Sequence, residues 1–148
     1  MSEVVDLAAE LSAAKRELKR LKAQVARNEA KMRKSQAREL RLLNSTNLDS
    51  LFREMCSGLR ESYGLTSSSL VLADPDHDVR HLMAAAGTPA GDIEGLMLVE
   101  SLTGLAPQYV ALRQPWLGAF QACDHQLLLP AMRPPGSVAI IPLTFRGN

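Results

Sequence analysis

Aromatic side chains are scarce in this chain: three Phe, two Tyr and one Trp among 148 residues, 4% in all. Each ring can therefore be followed by itself. Cysteine is scarcer still. Cys56 and Cys123 lie far apart and neither belongs to a CxxC, which excludes a disulfide framework and implies buried free thiols in a reducing cytosol. The N-terminus, MSEVVDLAAELSAAKRELK, lacks the charged-then-apolar layout of a signal peptide. No apolar run approaches the roughly 20 residues of a membrane span. The chain reads as cytoplasmic, with no membrane partner. Catalytic signatures are missing as well: there is no Ser-x-Gly elbow, no phosphate loop and no HExxH. No enzyme activity and no resident cofactor are expected.

The net charge of +1 conceals a division. Residues 1–43 carry 11 Lys/Arg against 6 Asp/Glu, or +5, while residues 44–148 carry 6 against 10, or −4. A basic front and an acidic back imply two physically different pieces, with the boundary at 43/44.

Residues 3–43 contain neither Gly nor Pro and are dominated by good helix formers. Every seventh residue from Val4 gives Val4, Leu11, Leu18, Val25 and Met32. The interleaved series is Leu7, Ala14, Leu21 and Asn28. This is the seam of a coiled coil, and these residues form the expected dimer interface. Asn28 puts a polar group in the seam, where pairing with its symmetry mate would fix register. Ser35 and Glu39 weaken the stripe, which can also be continued through Gln36, Leu40 and Leu43 as a four-residue stutter. A stripe this narrow needs a partner, either a second copy of the chain or the body of the same chain. Its length favours a second copy, by default parallel. The basic stretches KRELKRLK and KMRKSQAR also raise a nucleic-acid-binding helix. Their charges, however, sit on the outer faces of the seam among Glu10, Glu17, Glu29 and Glu39, as on a solvated coiled-coil surface, so no nucleic-acid partner is expected.

Asn44-Ser45-Thr46-Asn47 breaks the helix, and Thr46 with Asp49 suggests a capping box. Leu48, Leu51, Phe52, Met55, Leu59 and Tyr63 recur at helical spacing, with Gly64 placed to end that helix. Leu70–Ala73 and Val79–Met83 read as a β-hairpin around Asp74-Pro-Asp-His-Asp78. Leu96–Val99 fits a strand or a helix start. Leu105–Phe120, with Pro107, Pro115 and Gly118, reads as loop with a helical turn, and Asp124–Leu129 as a short helix. Ser137–Phe145 reads as a central strand. A central strand needs neighbours on both sides; residues 87–120 or a second protomer are the candidates to cover its edge. The fold class is α+β: a coiled-coil helix followed by a small antiparallel sheet domain.

The acidic turn has the spacing of a calcium-loop opening, but its sixth position is Val79 and its twelfth Ala85, so the pattern fails. His77, His81 and His125 show no metal-ligand spacing. Cys123 beside Asp124 is not an activated thiol, because a neighbouring carboxylate raises its pKa.

The opening NLDSLFREMCSGLRESYGLTSSSLVLADPDHDVRHL resembles the start of a GAF domain. Trp116-Leu117-Gly118, Asp124-His125…Leu129 and PPGSVAIIPLTFRGN resemble an uncharacterised GAF-like family in which a coiled-coil leader precedes the domain and a GGDEF diguanylate cyclase domain sometimes follows. The resemblance implies a sensory or regulatory module acting in signal transduction, as the front part of a longer protein whose last GAF strands lie beyond this chain. It carries over no cyclase activity. A GAF-like domain holds a small ligand between its sheet and covering loops. Here residues 105–135 would supply the cover, with Tyr109, Arg113, Trp116, Phe120, His125 and Arg133 as pocket candidates. A purely structural dimerisation scaffold is the alternative.

Overall fold

The computed structural model describes residues 2–129 and 136–143, with side chains from Leu7 onward. The chain divides into two compact units, Met1–Leu40 and Arg41–Asn148.

The first unit is almost wholly helix. Helix α1 runs unbroken over Ser2–Leu43, 42 residues, as expected where nothing interrupts the backbone ladder. At ~1.5 Å per residue it is about 63 Å long. The seam residues Leu7, Leu11, Leu18, Leu21, Val25 and Met32 share one face and are 45–70% exposed. Ala14 and Asn28 on the same face are exposed too. The side chain of Val4 lies outside the described residues. No helix among the described residues is long and apolar enough to cross a membrane.

The second unit begins with α2 (Leu48–Arg53), a π turn at Glu54–Gly58 and α3 (Leu59–Tyr63). The cap lies one residue later than the Thr46 pattern suggests. Asn47 accepts from the Ser50 N–H at 2.8 Å, and the Asn47 N–H donates to Ser50 Oγ at 3.3 Å. The π turn adds a residue to the helical turn, and Cys56 and Gly58 are buried there. The Cys56 carbonyl accepts from Ser68 Oγ at 2.9 Å. Gly64 ends α3 at φ 63°, and the Leu65 N–H returns to the Arg60 carbonyl, a Schellman stop.

Strand β1 (Leu70–Ala73) does not enter a hairpin. Val79–Met83 belongs to helix α4 (Asp78–Ala85), and β1 pairs in parallel with β2 (Leu96–Val99), Leu70 opposite Leu96. The unit β1-α4-β2 is thus a βαβ crossover rather than the antiparallel opening that the sequence suggests. The cause is local. Asp74, at the end of β1, accepts from the Val79 and Arg80 N–H groups at 3.1 and 3.2 Å and so seeds the first turn of α4. Ala84-Ala85-Ala86 then extends and closes the helix before Gly87, which takes φ 81°. Around this unit lies the core: Phe52, Cys56, Leu70, Met83, Ile93 and Leu96, flanked by Leu48, Met55, Leu72, Val79, Ala90 and Leu98.

Two short helices, α5 (Leu102–Leu105) and α6 (Pro107–Val110), the second where a helical turn is expected, lead to β3 (Trp116–Ala119), a strand inside the segment expected to be loop. Helix α7 (Ala122–His125) starts two residues earlier than expected. Strand β4 (Ser137–Ile140) pairs antiparallel with β3, Trp116 opposite Ile140. The 87–120 region thereby covers one edge of β4. Among the described residues β4 has no second strand neighbour and only Val138 is buried, so it is not the central strand that its composition suggests. Ile141–Leu143 leaves the ladder, because Pro142 has no N–H to donate. Thr144 and Phe145 lie outside the described residues.

Candidate functional site

Four of the six pocket candidates come together. His125 closes α7 and is 1% exposed, the most buried ring among the described residues. Around it stand Trp116 from β3, Tyr109 from α6 and Phe120 from the β3–α7 link. Their ring centroids lie 5.3, 5.9 and 5.7 Å from the imidazole. Tyr109 stacks on the imidazole at 20°, and Trp116 tilts against Tyr109 at 5.7 Å. Arg113 is not part of this group; its exposed guanidinium donates to the Leu112 carbonyl at 3.3 Å. Arg133 lies outside the described residues.

Two hydrogen bonds fix the imidazole. The Gln121 N–H donates to Nδ1 at 2.8 Å, and Nε2 lies 2.6 Å from the Tyr109 hydroxyl oxygen. Because Nδ1 accepts, the neutral ring carries its proton on Nε2 and donates it to Tyr109. Gln121 is the N-cap of α7. The side chain at the end of the helix thus satisfies a backbone donor at its beginning, which holds a single turn closed. Burial pushes the Tyr109 phenol above its ordinary value of 10.0, and the charge of Asp124 adds to the shift. The phenol therefore stays neutral.

Gly118 makes the cluster geometrically feasible. Residues 116 and 118 share one face of β3, and the indole lies across the space where a side chain at 118 would stand. A Cβ there would come within 2.5 Å of Trp116 Cζ2. The rings fill their own space, so the candidates form a packed cluster. An open groove of about 440 Å³ lies elsewhere in the unit, lined by Arg80, Ala84, Pro89, Ala90, Leu96 and Leu98.

Arg80 and Asp74 form a polar pair that the sequence reading missed. Arg80 Nη2 donates to the Leu98 carbonyl at 2.5 Å and Nε lies 4.0 Å from Asp74. Asp74 is 4% exposed. Burial alone would raise its carboxyl. The Val79 and Arg80 N–H groups, with the charges of Arg80 and His77, outweigh that and hold it below the usual aspartate value. Beside it His77 adopts φ 60°, a left-handed conformation for a residue with a side chain, and lies 3.7 Å from Glu100. His81 is exposed on α4 rather than on a sheet face. Among the described residues no group of three or more His, Cys, Asp or Glu could hold a metal. Both cysteines are free, Cys56 buried and Cys123 exposed, so only one matches the expected buried thiol. Burial pushes the Cys56 thiol upward.

The second candidate site is the exposed face of α1. Its apolar residues recur at seven-residue spacing from Leu7 to Met32, and every one of them faces water. No protein-family model matches this chain, and no curated protein or solved structure matches it either.

Proposed function

We propose that the chain is a dimeric regulatory module of signal transduction, in which α1 joins two copies and the C-terminal unit acts as a GAF-like sensory domain. One observation carries the reading: a continuous 42-residue helix holds a seven-periodic apolar face that is 45–70% exposed. An isolated helix of this kind is stabilised chiefly by packing its apolar face, so the seam calls for a partner helix. Its polar outer faces suit a coiled-coil surface. The sensory assignment rests on the resemblance of residues 40–148 to GAF-like domains. The parallel β1–β2 pair departs from an antiparallel GAF opening.

Light scattering on the whole chain tests the dimer. A dimeric mass at tens of micromolar is expected. Leu18→Glu with Leu21→Glu should convert it to monomer or aggregate, because both charges would be buried in the seam. A monomeric wild-type chain refutes the reading. A thermal-shift screen against cyclic nucleotides and small metabolites separates sensor from scaffold, since a ligand that binds the folded state raises Tm and a scaffold responds to none.

A further inference from the structure

We infer that the partner of α1 is a second copy of the same chain, parallel and in register, and that the charges flanking the seam select this arrangement. The inference rests on the dimer proposed above and adds its direction. With Leu11, Leu18, Val25 and Met32 at a positions and Leu7, Ala14, Leu21 and Asn28 at d, the flanking residues are fixed. Glu10, Glu17, Gln24 and Lys31 occupy the g positions; Lys15, Lys22, Glu29 and Gln36 occupy the e positions. All eight are exposed on α1.

In a parallel, in-register pair each g residue faces the e residue five positions on in the other helix. Glu10 then meets Lys15, and Glu17 meets Lys22. Symmetry doubles both attractions. The remaining flanks, Gln24 with Glu29 and Lys31 with Gln36, each contain one uncharged residue. No like charges meet. Asn28 faces the second copy's Asn28, so the two amides can bond to each other.

An antiparallel pair that keeps the whole seam sets Leu7 against Met32, and e residues then face e while g face g. Lys15 meets Lys22 twice, and these repulsions cancel the attractions of Glu10 with Lys31. Asn28 now faces Leu11, which leaves a polar amide against an apolar side chain on both sides of the pair. Charge and polarity therefore favour the parallel pair. In the single chain Glu17 is held by Arg20 at 2.5 and 2.8 Å. That ion pair is exposed, so Glu17 can exchange it for Lys22 of the second copy.

Spin labels test the direction in the full chain. Arg33→Cys places a label just outside the seam, in a Cys123→Ser background; Cys56 is buried and stays unlabelled. A parallel, in-register dimer holds the two labels within roughly 30 Å, two helix widths and the label arms. The antiparallel pair sets residue 33 opposite residue 6, which separates the labels by about 40 Å or more. A charge exchange gives an independent readout. Glu10→Lys with Glu17→Lys should weaken the dimer about tenfold, as all four attractions become repulsions. Adding Lys15→Glu and Lys22→Glu should restore the wild-type Kd to within about threefold, because complementarity returns only in the parallel pair. A dimeric mass with the long distance and no restoration overturns the parallel arrangement and leaves the dimer standing. A monomeric mass overturns both.

Discussion

Substituting Gly118 by Ala should disturb the C-terminal unit far more than its one added methyl group suggests. The backbone at 118 is not in the left-handed region, so alanine meets no conformational penalty there. The cost is steric. The new Cβ would sit within 2.5 Å of the Trp116 ring, well inside van der Waals contact. The indole cannot simply swing away, because Tyr109 and His125 pack against it. Overpacking of this kind costs about 1–3 kcal/mol. For a unit of this size that corresponds to a fall in Tm of about 4–15 °C. The assay has a built-in reporter, since Trp116 is the sole tryptophan of the chain. Its emission should shift to the red as the indole moves toward water, and the Tm should fall with it. Gly104→Ala is the control: an added Cβ at that helical position meets nothing within 4 Å. It should leave emission unchanged and Tm equal or slightly raised, by the ~1 kcal/mol helix preference of alanine over glycine. A Gly118→Ala variant that melts with the wild type and emits at the same wavelength refutes the stacking of Trp116 over Gly118.

Two further substitutions probe the polar contacts. Tyr109→Phe removes the acceptor for the proton on Nε2 of the buried His125; thermal unfolding should show a loss of about 1–3 kcal/mol, and an unchanged Tm would refute the Tyr109–His125 hydrogen bond. Asp74→Ala deletes the acceptor for the Val79 and Arg80 N–H groups and the counter-charge of Arg80, so Tm should fall by several degrees at neutral pH. The Asp74 carboxyl is held below its ordinary 3.8 in the folded chain, so its ionic contribution is complete above that value and is lost as the pH falls through the lower folded value. The Tm gap between wild type and variant should therefore persist down to pH 5 and narrow below 3.8; a gap that persists undiminished in acid would show that the charge is not involved.

Helix α1 was legible residue by residue, because 42 positions without Gly or Pro leave the backbone no reason to stop and the seven-residue period repeats often enough to be unambiguous. Val79–Met83 was not. Over five residues, alternation and helical spacing fit almost equally well, and the β-branched Val79 tips the balance toward strand. What decides for helix lies outside that window: the Asp74 carboxylate that caps the first turn from the end of the preceding strand, and the alanines that follow. The parallel pairing of β1 with β2 follows from that decision, since a helix between two strands carries the chain back to the end where the first strand began. β4 shows the opposite limit. Its apolar composition marked a strand correctly, but composition counts side chains, whereas the extent of a ladder depends on backbone donors, and Pro142 removes one.

The candidate site was legible as a set of residues and hidden as a geometry. Few rings occur in the chain, and four of those between 105 and 135 do assemble, because scarce apolar rings in a small unit gain most by packing on one another. The tautomer of His125 could not be read ahead, since it depends on a backbone N–H four residues upstream. Gly118 did carry a signal. Trp-x-Gly in a strand puts the indole and the missing side chain on the same face, and the gap is the room that a flat ring needs. The signal is usable only once the segment is taken as a strand, and Pro107 and Pro115 argue locally against that. Both prolines in fact precede β3: Pro107 opens α6 at its first position, where no N–H is required, and Pro115 stands immediately before Trp116. Proline here marks where elements begin, and the ladder that places Trp116 beside His125 starts directly after it.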